Sequence, residues 1–245
     1  MEISFFEEFP TKSNLDKIKH IVFPTKLYIA SKSYKEFQNL EINSKYVKEN
    51  IYWPVLTNKE GYWLSPFTKR KALKRIMKEL KDPNVPVMWD AELPFTRNKK
   101  LFLTELPNFL SNRKLIREFI ASKKKSYGAE YFSVGKSRFF LKFLGLTFDS
   151  QTYHPIKMVY SSMHDFGETL IRAEIKMLKE DFGNKLCIGL GVTAIGILGN
   201  EPIISLELLE RDLKICKDLE VNEVIIFRLG GINKDYAKLL KKYVK

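Results

Sequence analysis

Short runs of β-branched and aromatic residues alternate with amphipathic stretches along the chain, the pattern of βα units that feed a parallel sheet. Strands are predicted at residues 3–9, 26–31, 51–56, 85–92, 129–133, 156–162, 186–193 and 223–229. Helices are predicted near 12–20, 33–41, 67–81, 108–124, 137–145, 167–182, 205–219 and 234–243. Eight strands, each followed by a helix, within about 250 residues meet the requirement of a closed (β/α)8 barrel. An open doubly wound sheet would need a Gly-rich phosphate turn after its first strand, and Phe6-Glu7-Glu8-Phe9-Pro10 is nothing like one. The predicted fold class is therefore α/β, a single (β/α)8 TIM barrel. No linker-like stretch interrupts it, so residues 1–245 are read as one domain.

Boundary residues agree with this division. Asn233 is placed to cap the last helix, and Ser205 the seventh, with Leu206, Leu209, Leu213 and Cys216 on its buried side. Pro83 and Pro86 end the third helix. The run Phe139-Phe140-Leu141-Lys142-Phe143-Leu144 fits either helix or strand.

Composition then narrows the class. Aromatic residues make up 13% of the chain, and no Ser/Gln/Pro-rich tract occurs, which excludes a disordered or low-complexity protein. The longest apolar run, 186–198, contains Gly189, Gly191 and Gly196 and is shorter than the roughly 18 residues of a spanning helix. The first residues carry no basic leader, and the two cysteines, Cys187 and Cys216, suit reduced thiols in a core. Both features point to the cytoplasm, with no membrane partner. Only two glutamines among abundant Lys and Glu is a composition associated with high growth temperature.

The net charge of +13, from 42 Lys+Arg against 29 Asp+Glu, bears on partners. It concentrates on two predicted helices, Lys69 to Lys81 and Arg113 to Lys125. A polyanion such as nucleic acid would find a basic face there. The favoured reading is a solvated helix exterior, which leaves nucleic acid a secondary candidate.

Barrel chemistry sits at the C-terminal ends of the strands, so the residues there are the candidates. Strand 1 ends in Glu7-Glu8, strand 2 in Ser31-Lys32, strand 3 in Tyr52-Trp53, strand 4 in Trp89-Asp90-Ala91-Glu92 and strand 5 in Glu130-Tyr131. Strand 6 runs into Tyr160 to Asp165, strand 7 into Gly191 to Thr193, and strand 8 into Arg228 to Gly231. Alternation puts Ile188, Leu190 and Val192 against the helices and leaves Cys187, Gly189, Gly191 and Thr193 inside. By the same rule Val224, Ile226 and Arg228 share a face, as do Met158, Tyr160, Ser162 and His164. If both faces point inward, Arg228, Tyr160 and His164 line one pocket. Asp90 and Glu92 project to one side, one step of about 6.6 Å apart. Paired, partly buried carboxylates suit general acid/base work, because both cannot ionise easily. Glycosidic cleavage uses such a pair.

At this point the residues resemble a known family. Asp-x-Glu closing strand 4, Met158-Val159-Tyr160 closing strand 6 and Gly-Leu-Gly-Val-x-x-x-Gly over 189–196 are similar to chitinase-type glycosidases of family 18. The resemblance implies a general acid at Glu92, an Asp90 that orients the substrate's acetamido group, and a Tyr160 that supports the intermediate. Two features depart from that family. Pro86, Val87 and Met88 replace the earlier part of its acidic signature, and Phe227-Arg228 stands where a Trp floor is usual.

Other readings stay open beside it. Ser162-Met163-His164-Asp165-Phe166 is similar to a strand-end segment of type I dehydroquinases, without the Lys expected one strand later, and His164 is in any case an acid/base candidate. Gly230-Gly231 ahead of a helix suggests phosphate, with Lys32 as a Schiff-base amine or Arg228 as a clamp in a phosphosugar lyase or isomerase. Glu7, Glu8, Asp90, Glu92, Glu130 and His164 offer oxygen and imidazole donors, but no His-x-His or His-Glu-x-x-His spacing supports a metal, so neither metal nor cofactor is expected. A non-catalytic barrel that binds a polyanion is the remaining alternative.

The expectation is thus a glycosidase-like hydrolase acting on a small-molecule or oligosaccharide substrate. Its catalytic candidates are Glu92, Asp90, Tyr160, Glu130, Glu8 and His164, with Glu130 or Glu8 as possible nucleophile. Substrate contacts are expected from Arg228, Lys32, Gly230 and Gly231, and from Trp53, Tyr62 and Trp63, whose flat faces can stack on sugar rings.

Overall fold

The computed structural model describes residues 1–82, 84–95, 98–132, 137–148 and 150–244, the side chains of 137 and 138 excepted. Its strands are β1 (Glu2–Glu7), β2 (Thr25–Ser31), β3 (Val47–Pro54), β4 (Val87–Asp90), β5 (Ser126–Tyr131), β6 (Tyr153–Val159), β7 (Cys187–Gly191) and β8 (Glu223–Phe227). They hydrogen-bond in chain order into a closed barrel of parallel strands. The helices between them are α1 (Lys12–Leu15), α2 (Tyr34–Gln38), α3 (Arg70–Glu79), α4 (Leu101–Thr104), α5 (Phe109–Ala121), α6 (Ser137–Phe143), α7 (Glu168–Phe182), α8 (Leu206–Asp218) and α9 (Lys234–Lys241). This is the (β/α)8 barrel expected from the pattern.

Several boundaries moved, for physical reasons. β5 lies earlier than expected because its Ser-Tyr-Gly-Ala-Glu-Tyr stretch lacks the β-branched signature of a strand. The segment expected as one helix over 12–20 is a single α-turn followed by a 3-10 turn over 16–20. The ambiguous run beginning at Phe139 is helical. Pro83 and residue 133 lie outside the described residues.

Backbone packing groups the chain into two compact units, each assembled from separated segments. The first comprises residues 1–30, 40–51 and 156–245. In it β1 pairs with β2 (Phe5↔Leu27) and with β8 (Phe5↔Ile226), β8 pairs with β7, and β7 with β6. Ring contacts identify the inner face. Phe6 lies 5.5 Å from Tyr28 and 6.2 Å from Phe227, and a Cβ on Gly189 would meet the Phe6 ring at 3.6 Å. Gly189, one of the small residues expected to face inward on β7, is therefore where alternation put it. At the N-terminal ends of these strands Glu223 accepts hydrogen bonds from Ser4 Oγ (2.7 Å), Tyr28 Oη (2.9 Å) and Lys26 Nζ (2.7 Å). Burial works against the Lys26 charge, but Glu223 and Glu2 outweigh it and hold the ammonium above its ordinary value. A polar plug at that end of a barrel serves stability.

Helix α8 starts where Ser205 Oγ accepts from Leu208 N, and α9 where Asn233 accepts from the N–H groups of Asp235 and Tyr236. Leu209, Leu213 and Cys216 are buried as expected, whereas Leu206, in the first turn, is exposed. Cys187 and Cys216 are both buried as free thiols, and burial pushes the Cys216 thiol well up. Among the described residues no helix is long and apolar enough to cross a membrane.

The second unit comprises residues 31–39 and 52–155. β4 pairs with β3 at Tyr52↔Val87 and with β5 from Val87↔Ser126 to Asp90↔Ala129. Val87 and Trp89 pack with Leu73 and Ile76 of α3 and Ile116, Phe119 and Ile120 of α5, so this face of β4 is the helix side. Lys71, Lys74 and Lys78 sit on the exposed side of α3. Lys123 does not join a basic face. It is buried, and its ammonium donates to the Leu80 and Asp82 carbonyls just past the end of α3.

Candidate active site

The second unit holds the acidic strand end singled out in the sequence. With Trp89 committed to the helix side, Asp90 must project from the opposite face of β4. The surrounding loop is tied there on both sides: Trp89 Nε1 donates to the Leu64 carbonyl (3.0 Å), and Leu64 N donates to the Asp90 carbonyl (2.9 Å). Ala91 N continues the sheet by donating to Ala129 O, after which Glu92 N turns back onto the Asp90 carbonyl (3.1 Å). Asp90 and Glu92 are therefore related by a turn, and not by the straight two-residue step expected from strand geometry. Asp90 is 3% exposed and Glu92 is half-buried.

The register Asp90↔Ala129 places Tyr131 on the same face as Asp90. Its hydroxyl accepts a hydrogen bond from the Leu93 backbone, and burial, then the charges of Glu92 and Asp90, push it far above the ordinary tyrosine range. Two carboxylates and a phenol held protonated thus share one electrostatic environment at the ends of β4 and β5.

Glu130 falls on the other side of β5. It is 0% exposed and accepts from Tyr153 Oη at 2.5 Å, and Tyr153 belongs to the helix-side core with Trp89. Gly128 is required on that side, because a Cβ there would lie 1.6 Å from the same hydroxyl. Glu130, expected as a nucleophile candidate, is therefore replaced by Tyr131 as the β5 residue beside Asp90. The signal was register parity, which a sequence without known pairing does not reveal. Trp53, Tyr62 and Trp63 are 4%, 8% and 7% exposed, with the Tyr62 and Trp63 rings edge-on at 5.3 Å. Their faces are largely occupied by packing, which corrects the expectation of open sugar platforms. Lys32 is exposed beyond β2, without the apolar enclosure that activates a Schiff-base amine.

In the first unit the strand ends are occupied differently. Glu7 alternates away from Phe6 and meets Arg228, whose Nη1 donates to it at 2.9 Å. Phe9 N (2.8 Å) and Gly230 N (2.7 Å) also donate to Glu7. Arg228 further donates to the Ile195 carbonyl and lies 4.9 Å over the Phe9 ring. Burial raises the Glu7 carboxyl above its ordinary value of 4.5, and Arg228 with the two backbone donors draws it only part of the way back. Arg228 is thus bound up in the fold. The expectation that it shares a pocket wall with Tyr160 is corrected, since the residue against Tyr160 is Phe227, with rings 5.7 Å apart.

Tyr160 begins a turn in which Met163 N and His164 N both donate to its carbonyl, so His164 leaves the strand alternation and is exposed, its ring 5.2 Å from Phe166. Glu8 accepts from Ile197 N at 2.9 Å, and Glu201, which the sequence reading did not single out, accepts from Leu198 N and Gly199 N. Both carboxylates lie 2.9 Å from the point a Cβ on Gly196 would occupy. Among the described residues no group of three or more His, Cys, Asp or Glu is arranged to hold a metal ion.

Gly230 and Gly231 have a packing reason. The Gly230 N–H is taken by Glu7, and a Cβ on Gly231 would lie 2.0 Å from the Thr193 carbonyl oxygen. Gly231→Ala must therefore displace backbone, and a loss of about 1–3 kcal/mol in urea unfolding is expected. An unchanged midpoint would show that the loop yields freely.

The sequence matches no protein-family model and no curated protein. The structure, by contrast, has many solved counterparts. It superposes on the PgaB (BpsB) glycoside hydrolase domain from Bordetella bronchiseptica with a TM-score of 0.55 at 10% identity, covering 99% of this chain and 98% of that one. The chain shares the (β/α)8 barrel fold. The C-terminal domain of a putative chitinase from Desulfitobacterium hafniense DCB-2 matches with a TM-score of 0.52 at 9% identity, covering 100% and 99%. A D-tagatose 3-epimerase-like protein matches at 0.53 and 15% identity, covering 99% and 97%. Glycoside hydrolase barrels and an epimerase-like barrel are thus among the solved folds this chain is similar to.

Proposed function

We propose that this chain is a glycoside hydrolase whose acid/base chemistry is carried by Glu92. The observation that supports the reading is the cluster of Asp90, Glu92 and Tyr131 at the ends of β4 and β5, where the field of the two carboxylates reaches the Tyr131 hydroxyl. The barrel architecture shared with glycoside hydrolase domains adds to it. Barrels host many chemistries, so the site carries the argument.

In the proposed mechanism Glu92, half-buried and reachable from solvent, protonates the leaving glycosidic oxygen. Asp90 supplies a fixed negative charge beside the developing oxocarbenium centre or orients a substrate amide. Tyr131, kept protonated at neutral pH, donates a hydrogen bond to a sugar oxygen or to the carboxylate left after proton transfer. The substrate class is an oligosaccharide. The phosphosugar alternative loses its anchor, because the Gly230 N–H is committed to Glu7.

The test is hydrolysis of a panel of chromogenic glycosides, N-acetylglucosaminides among them, together with chitin and other oligosaccharides, from acid to mildly alkaline pH. A bell-shaped dependence of kcat/KM on pH is the expected result. A folded protein inert on every substrate across that range overturns the reading.

A further inference from the structure

The second unit carries a face that a water-exposed enzyme surface does not need. Leu103, Leu106 and Leu110, in and between α4 and α5, are 79%, 59% and 69% exposed, and Phe139, Phe140 and Phe143 of α6 are 80%, 60% and 53% exposed. The two sets adjoin: Phe143 lies 6.2 Å from Phe109 of α5, the Arg113 guanidinium sits 5.9 Å over the Phe143 ring, and Arg113 donates to the Lys142 carbonyl. Large apolar side chains concentrated in this way mark an interaction site.

Beside them opens a basic groove. Its volume is about 400 Å³, and Leu110 lines it together with Arg113, Lys114 and Arg117. Among the described lining residues Glu118 is the one carboxylate, and it pairs loosely with Lys114 at 3.8 Å on the exposed surface. Arg113 Nε is buried and makes no hydrogen bond with a described residue. A cationic groove that shares Leu110 with an exposed apolar strip matches an amphiphile with an anionic head.

We propose that this face docks on an anionic phospholipid surface, with Leu103, Leu106, Leu110 and the α6 phenylalanines entering the acyl boundary and a headgroup phosphate seated by Arg113, Lys114 and Arg117. A second copy of the chain is disfavoured, because self-association through this face sets the same cations close to one another. Nucleic acid would satisfy the cations but not the leucines. The expectation of no membrane partner is revised by this face, because peripheral docking needs no spanning helix. The inference does not rest on the proposed hydrolase activity.

The test is co-sedimentation of the full chain with vesicles of phosphatidylcholine alone and of phosphatidylcholine mixed with phosphatidylglycerol. Binding to the mixed vesicles only, weakened by salt, is expected. Two sets of surface changes, Leu103→Ser with Leu106→Ser and Leu110→Ser, and Lys114→Glu with Arg117→Glu, should each lower that binding by at least about tenfold. Circular dichroism should show both variants folded, and hydrolysis of soluble glycosides, if present, should be unchanged. Failure of the unaltered chain to bind mixed vesicles at low salt overturns the proposal. So does binding that survives the leucine changes, which would mean that net charge alone attracts the protein. Self-association in solution abolished by the leucine changes, without vesicle binding, assigns the face to a second copy instead.

Discussion

Glu92→Gln is expected to lower kcat for glycoside hydrolysis by about 10²–10⁴-fold, the range in which a positioned general acid contributes. Gln keeps the size and hydrogen-bonding reach of the side chain but cannot deliver a proton. The loss should therefore fall on kcat with little change in KM, and the alkaline limb of the pH profile should disappear with the group that produces it. Substrates with very acidic leaving groups need less protonation and should suffer least. Asp90→Asn makes a contrast. It removes the charge nearest Glu92 on β4 without removing the acid, so some activity should persist and the alkaline limb should move to lower pH, as a neighbouring negative charge is lost. Steady-state kinetics of both variants on two leaving groups decides the matter. A Glu92→Gln enzyme with more than about a tenth of the normal kcat would exclude Glu92 as the acid.

The other large effect is on stability. Glu7→Ala should destabilise the protein by about 3–5 kcal/mol in urea unfolding, because it leaves the Arg228 guanidinium buried without its carboxylate. Arg228→Met added to Glu7→Ala should recover part of that loss, a non-additivity that a double-mutant cycle reads directly. The pH dependence has a definite sign. Glu7 binds its proton more tightly folded than unfolded, so its favourable contribution is complete below 4.5 and declines as pH rises through its raised folded value. Glu7→Gln should lack that decline. Unfolding curves collected across this window, showing the same slope for both proteins, would mean that Glu7 titrates in the fold as it does in the unfolded chain.

The reach of the sequence can be judged strand by strand. β7 was legible because its bulky and small residues alternate without exception, and Gly189 does face Phe6. β8 was misread at its end. Val224, Ile226 and Arg228 share a parity, but the inner face belongs to Phe227, and Arg228 is drawn elsewhere by a carboxylate 221 positions away. β5 was misread in the same way. Glu130 looked like a strand-end acid, yet its partner is Tyr153 from the next strand, and the Gly128 that makes room for that partner weakens the local strand signal. The aromatics after β3 were recognised as a group, but whether a ring packs or faces solvent depends on what lies over it.

The periodicity of apolar residues by itself determined the number of units, their order and the parallel barrel, because burying one stripe per helix and both faces per strand leaves few arrangements. The acidic end of β4 followed from the same pattern. What only the tertiary structure decided was which strand-end groups meet: Tyr131 beside Asp90, Arg228 on Glu7, Glu201 near Glu8, and an exposed Leu/Phe face beside a basic groove. The strand-end meetings depend on register and side-chain parity between strands far apart in sequence, where a shift of one residue turns every side chain to the opposite face, and the Leu/Phe face depends on what packs over its helices.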